Sequence, residues 1–331
     1  MSKSIWTFLL ISAALSSSTT RRQPTRAELW AFTGPWDPRS DTSLRANAAH
    51  LDVAVTGWIG LDSGTALPII PSLFPDTMRL SKGTPRRMAI VTSWHGTRFH
   101  PRTVRKLASD QARLARAAGT IATYAASMRY AGLVLDLEAL ERADLASLLR
   151  VVQTMTDSAH ARGVSQVIVA IPAADTEAYP ARPLVRIADF VMPMLYDQHW
   201  STSGPGPISE PDWVRNTLGM RIAEVGVSKV VAALPTYGYR WRTNRAPAED
   251  VTFPEAKRIA AQSGVRLVRD TRTATLRGSK PGEWDMWVTD AELLGTLARQ
   301  ARAAGVSRIA LWRIGQEDPG IWQALELGAR R

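Results

Sequence analysis

Tyr130-Ala131-Gly132-Leu133-Val134-Leu135-Asp136-Leu137-Glu138 decides the fold. An apolar run that ends in two acids spaced two apart reads as a buried parallel strand carrying its polar groups at the carboxyl end. Successive side chains on a strand alternate faces, so Asp136 and Glu138 share one face. Parallel α/β folds place their chemistry at that end of the sheet. Two carboxylates in a partly dry site push their pKa values apart, which leaves one protonated near neutral pH as a general acid. The plainer reading makes Glu138 a helix cap or an arginine partner.

Working outward, short apolar runs recur along the chain. They are Leu29-Trp30-Ala31-Phe32-Thr33, Val53 to Ile59, Met88 to Trp94, the strand above, Val167 to Pro172, Phe190 to Asp197, Val230 to Pro235 and Ser307 to Trp312. Helical patterns separate most of them, including Pro101 to about Ser127, Asp144 to about Arg162, Asp212 to Val225 and Ala291 to Ala304. Strands alternating with helices give βαβ units, and eight of them predict a (β/α)8 TIM barrel, with an open doubly wound sheet as the runner-up. No glycine-rich phosphate loop follows the first strand, which argues against dinucleotide or nucleotide binding. The interval at about 242–287 breaks the alternation, being polar and rich in β-formers, and is read as a small α+β insertion after strand 7. The barrel is assigned to residues 27–331.

The chain of 331 residues is 45% hydrophobic, with a formal net charge of +11 and no cysteine. Disulfides and thiolate metal sites are therefore excluded. A basic balance favours anionic partners, but the Lys and Arg residues are scattered, without zinc-finger spacing or RNP-like aromatics, so nucleic acid is not expected. The five histidines show no ligand-like pairing, and no metal or other cofactor is expected. Neither a Ser-His-Asp order nor G-x-S-x-G is present to suggest acyl transfer. Residues 1–18 carry Lys3, the apolar run Ile5 to Ile11 and a small-residue zone, the pattern of a secretory leader. An apolar run so short falls below the roughly 20 residues of a membrane span. Export to the periplasm, cell wall or exterior is expected, with membrane contact only if this segment stays attached as an anchor.

Strand ends converge at a barrel mouth. Here they supply Trp36, Trp58, Trp94, Glu138, Tyr196-Asp197, Tyr237 and Trp312. An acidic centre ringed by aromatics suits a sugar polymer, because pyranose rings stack on flat aromatic faces while a carboxylic acid protonates the leaving oxygen. Trp36 and Trp94 are the candidates for such stacking at the rim. A single tryptophan would be read as core packing, but twelve in the chain, several at strand ends, argue for a binding surface.

These residues resemble a known family. Gly132 to Glu138 is similar to the D-G-x-D-x-D-x-E signature of glycoside hydrolase family 18, the chitinase-like barrels, and Met194-Leu195-Tyr196-Asp197 to its M-x-Y-D motif. Leu234-Pro235-Thr236-Tyr237-Gly238 resembles its seventh strand and Leu311-Trp312 its eighth-strand tryptophan. Tyr196 to Trp200, Gly204 to Pro207 and Trp312 to Pro319 look like the branch of spore-type peptidoglycan N-acetylglucosaminidases.

The resemblance implies substrate-assisted retaining hydrolysis of β-linked N-acetylglucosamine glycans, chitin-like or peptidoglycan. In it Glu138 is general acid and then base, and Asp136 holds the substrate acetamido N–H. Tyr196 bonds the acetamido oxygen, Asp197 contacts the sugar and Trp312 forms the floor, with Met194 and Tyr237 beside them. Two signature aspartates are replaced here, by Ala131 and Val134, which implies altered proton traffic around a more permanently charged Asp136. The rival reading is a non-catalytic carbohydrate-binding barrel of the cell wall.

Overall fold

The computed structural model of the protein describes residues 27–70, 76 and 85–327. The leader-like segment 1–18 lies outside the described residues, as do Pro71 and Pro75 of the proline-rich loop. Eight parallel strands close into a barrel: β1 (Glu28–Thr33), β2 (Val53–Gly60), β3 (Arg86–Thr92), β4 (Gly132–Asp136), β5 (Gln166–Pro172), β6 (Phe190–Met194), β7 (Ala232–Pro235) and β8 (Arg308–Ile314). β8 pairs with β1, with Leu29 opposite Ile309, so the ring has no free edge.

The two-residue period of each strand sorts its side chains into two cores. Trp30, Phe32, Val134, Ile168, Ala170, Met192 and Ala310 fill the barrel interior. Their neighbours Leu29, Ala31, Leu133, Leu135, Val167, Val169, Val191 and Leu311 pack outward against the helices. The same alternation turns Asp136 and Trp312 inward and, continued past the ends of β4 and β6, carries Glu138 and Tyr196 onto the same face. Gly132 opens β4 because a Cβ there would lie 2.7 Å from the Gln166 carbonyl oxygen, so a side chain would force β4 away from β5.

Helices α1 (Pro38–Asn47), α2 (Pro101–Ala108), α3 (Gln111–Ser127), α4 (Leu145–His160), α5 (Ala181–Leu184), α6 (Pro211–Val225), α8 (Ala291–Ala303) and α9 (Ile321–Leu327) form the outer layer, while α7 (Phe253–Gln262) belongs to the segment between β7 and α8. The single helical region expected from Pro101 to Ser127 is two helices. Asp110 starts the second by accepting from the Arg113 N–H, and such a cap requires non-helical backbone between them.

Between β7 and α8 stands a five-stranded antiparallel sheet, in the order Arg245–Val251, Gly238–Arg242, Trp284–Val288, Leu276–Lys280 and Val268–Arg269. α7, capped by the reciprocal Thr252–Glu255 bonds, covers it over a small core of Val251, Ile259, Trp284, Met286 and Val288. Backbone bonds from Thr289 N to the Tyr237 carbonyl (3.1 Å) and from Phe253 N to the Gln316 carbonyl (3.0 Å) fasten it beside the barrel mouth.

Candidate active site

The carboxyl ends of the strands open into a cavity of about 780 Å³, within the size range of small-molecule sites. Glu138 and Asp136 stand in it together, with Val134, Met192, Met194, Tyr196, Asp197 and Trp312. Trp36, Trp58 and Trp94 line it as well. Trp36 and Trp94 are 47% and 39% exposed, as rim residues would be. Each is propped edge-on by a second ring, Trp36 by Trp58 and Trp94 by Phe99, both with centroids 5.0 Å apart. Phe32 supports Trp312 from below at 5.3 Å.

Asp136 closes β4, and its Oδ2 accepts from the Thr92 hydroxyl of β3 at 2.8 Å, a pair that the parallel register places side by side. The Glu138 carboxyl donates to Asp136. Burial pushes the Asp136 carboxyl up to about 6, while its bonds from Thr92 and Glu138 act downward. Burial raises Glu138 well above the usual carboxylate range, and the charges on Asp136 and Asp197 add to that rise. The pair therefore holds one proton near neutrality, on Glu138.

Tyr196 presents a hydroxyl with no hydrogen-bond partner among the described residues, and burial raises its pKa. Asp197 follows it in left-handed backbone (φ 56°). Its carboxylate accepts from the Tyr237 and Tyr239 hydroxyls, while enclosure by the surrounding protein lifts it to about 6 although the residue meets the cavity's solvent. Tyr237 does not line the cavity. It is 5% exposed and sits behind Asp197, edge-on to Tyr196 at 6.1 Å.

Three side chains of the site carry no local sequence signal. Thr92 is hidden in an apolar run, and its partner lies 44 residues away. Arg313 and Asp250 both line the cavity, Asp250 from the inserted sheet. Arg313 lies over the Trp36 ring at 5.1 Å, donates to Asp37 at 3.0 Å and reaches within 3.9 Å of Asp250. Only the position of Arg313, next to Trp312, could have drawn attention to it.

No family model matches the chain. The uncharacterized glycosylase YvbX of Bacillus subtilis is 24% identical over 224 residues, 63% of this chain and 64% of that protein. The chain thus spans a little under two thirds of this curated relative's length. The spore cortex-lytic enzyme SleL of Bacillus megaterium superposes with a TM-score of 0.81 at 17% identity, over 94% of this chain and 75% of that one. A class V chitinase of Pseudomonas fluorescens gives 0.80 at 24%, over 91% and 99%. The chain has the (β/α)8 barrel fold of these chitinase and cortex-lytic enzyme structures. The signature that Gly132 to Glu138 resembles has its second aspartate where this chain has Val134. Here Val134 is fully buried, so the inward face beneath Asp136 is hydrocarbon.

Proposed function

We propose that the chain is a retaining glycoside hydrolase that cleaves β-linked N-acetylglucosamine glycans with the substrate's acetamido group as nucleophile. One observation carries this reading: a proton-sharing carboxyl pair, Glu138 and Asp136, opens into an aromatic-walled cavity beside the Tyr196 hydroxyl, which has no hydrogen-bond partner among the described residues. Glu138, kept protonated by burial and by its charged neighbour, gives its proton to the leaving glycosidic oxygen as that bond breaks. The acetamido oxygen attacks the anomeric carbon to form an oxazolinium ion. Asp136 accepts the acetamido N–H and offsets the positive charge, and Tyr196 donates to the acetamido oxygen. Water then adds at the anomeric carbon as Glu138 takes up its proton, and the configuration is retained. Asp197 contacts the sugar from the side, over a floor made by Trp312 and Met194.

Peptidoglycan glycan is the favoured substrate. The net charge of +11 draws the chain to anionic wall polymers, and one structural neighbour is a spore cortex-lytic enzyme. Such a substrate goes with export through the leader-like segment 1–18.

The test is reducing-end release from N-acetylglucosamine oligomers and from purified peptidoglycan, using the wild type and Glu138→Gln. Loss of the proton donor is expected to lower turnover about 10³-fold while oligomer binding persists. Binding without turnover by the wild type on every glycan would replace this reading with a carbohydrate-binding barrel.

A further inference from the structure

Asp136 is the group whose orientation the proposed chemistry needs most, and its surroundings are unusual. The strand alternation that turns Asp136 inward also turns Val134 inward, one step deeper, and Val134 is fully buried in hydrocarbon. No hydrogen bond can reach Asp136 from that side. Thr92 approaches from β3 instead, itself completely buried. Its hydroxyl oxygen accepts the Trp94 N–H at 3.0 Å and lies 2.8 Å from Asp136 Oδ2. A hydroxyl has one proton to give. Because the Trp94 N–H occupies a lone pair of Oγ1 and a carboxylate can only accept, that proton points at Asp136. The parallel pairing of Thr92 with Asp136, and the 3.1 Å bond from Ser93 N to the Asp136 carbonyl, fix the two backbones against each other.

We propose that Thr92 is the positioning residue of the site, a fixed donor that holds the Asp136 carboxylate charged and turned toward Glu138 in place of a second acid on the same strand. Its kinetic consequence rests on the hydrolase reading; its effect on the titration of Asp136 does not. The ionisable groups facing Asp136 are Glu138 beyond the end of β4, Tyr196 beyond β6 and Tyr179 ahead of α5. Asp197 faces Glu138. Among the described residues no lysine or arginine pairs with either carboxyl, so two neutral donors favour the charged form, the protonated Glu138 carboxyl and the Thr92 hydroxyl, and of these only Thr92 keeps its proton when Glu138 gives its own to the substrate.

Thr92→Val keeps the shape and removes the donor, whereas Thr92→Ser keeps the donor. A donor to a carboxylate lowers its pKa, so its loss raises it. In Thr92→Val the acid limb of kcat/KM is expected to move up by about one pH unit, with kcat about fivefold lower near pH 6 and KM within about twofold. Thr92→Ser should restore the wild-type profile. Carboxyl carbon NMR of labelled Asp136 reads the same shift without turnover, so an inactive wild type would count against the hydrolase reading and leave this titration to decide the role of Thr92. An unshifted Asp136 titration in folded Thr92→Val overturns the proposal. So does equal loss of activity in the valine and serine variants, which would mark a packing role.

Discussion

At the scale of single residues, the site is held in a state that costs the fold stability. Asp136 is buried with its folded pKa near 6, above the value of 3.8 it has when unhindered. A raised carboxyl pKa means the unfolded chain ionises more readily, so above about pH 6 the charge on Asp136 opposes folding. That cost shrinks as pH falls through 6 and is gone below about 4. Asp136→Asn removes the charge and keeps an acceptor for Thr92. It is expected to be more stable than the wild type by about 1 to 2 kcal/mol at pH 7.5, with the difference vanishing near pH 4, while activity is lost. Urea denaturation of both proteins across that range checks it, and a wild type that is the more stable at pH 7.5 would contradict the account. Glu138 and Asp136 were legible because a period of two is a local property. Thr92 was not, because its part is set by a partner on the neighbouring strand and by Val134, whose effect is the absence of a donor.

At the scale of elements, the turn that carries Glu138 is braced from outside the cavity. The Tyr179 hydroxyl donates to the Leu137 carbonyl at 2.9 Å and accepts from the Leu140 N–H at 3.0 Å, so one buried phenol ties the backbone on both sides of Glu138. Tyr179 is itself held by Arg221 of α6, a guanidinium with no exposed surface. Arg221 donates to the carbonyls of Tyr179 (2.9 Å), Ala173 (3.0 Å), Pro172 (2.7 Å) and Asp175 (2.6 Å). α6, the β5–α5 segment and the Glu138 turn therefore form one hydrogen-bonded chain. Tyr179→Phe leaves a buried carbonyl and a buried N–H without that partner. It is expected to cost about 1 to 3 kcal/mol in stability and to lower kcat more than it alters KM, since the proton donor loses its register. Thermal unfolding and steady-state kinetics measure the two effects, and an unchanged kcat would show that Glu138 is placed by its own strand alone. No local pattern around Tyr179 or Arg221 announces this brace. α6 was readable from its helical pattern, but an arginine in such a pattern reads as solvent-facing, and only the packing of α6 against the β5–α5 segment turns it inward.

At the scale of the whole molecule, two features act at different ranges. The barrel and its inserted sheet were legible as alternation and as a break in alternation, because both are patterns of many residues. The seam between them was not. Asp250 and Arg313, which meet at the mouth, are 63 positions apart by their numbers and belong to different sheets. The cavity they help to line is dominated by aromatic walls and carboxyl groups, so contacts within it are short-ranged and little affected by salt. The net charge of +11 acts over the whole surface instead, and added ions screen it beyond about 10 Å at 0.1 M. The two contributions can be separated experimentally. Sedimentation with anionic wall sacculi is expected to weaken by at least tenfold between about 0.02 M and 0.5 M salt, whereas KM for neutral N-acetylglucosamine oligomers changes by less than about twofold. Binding to sacculi that ignores salt would place recognition of the wall inside the cavity, and the surface charge would then have no part in selecting peptidoglycan over chitin.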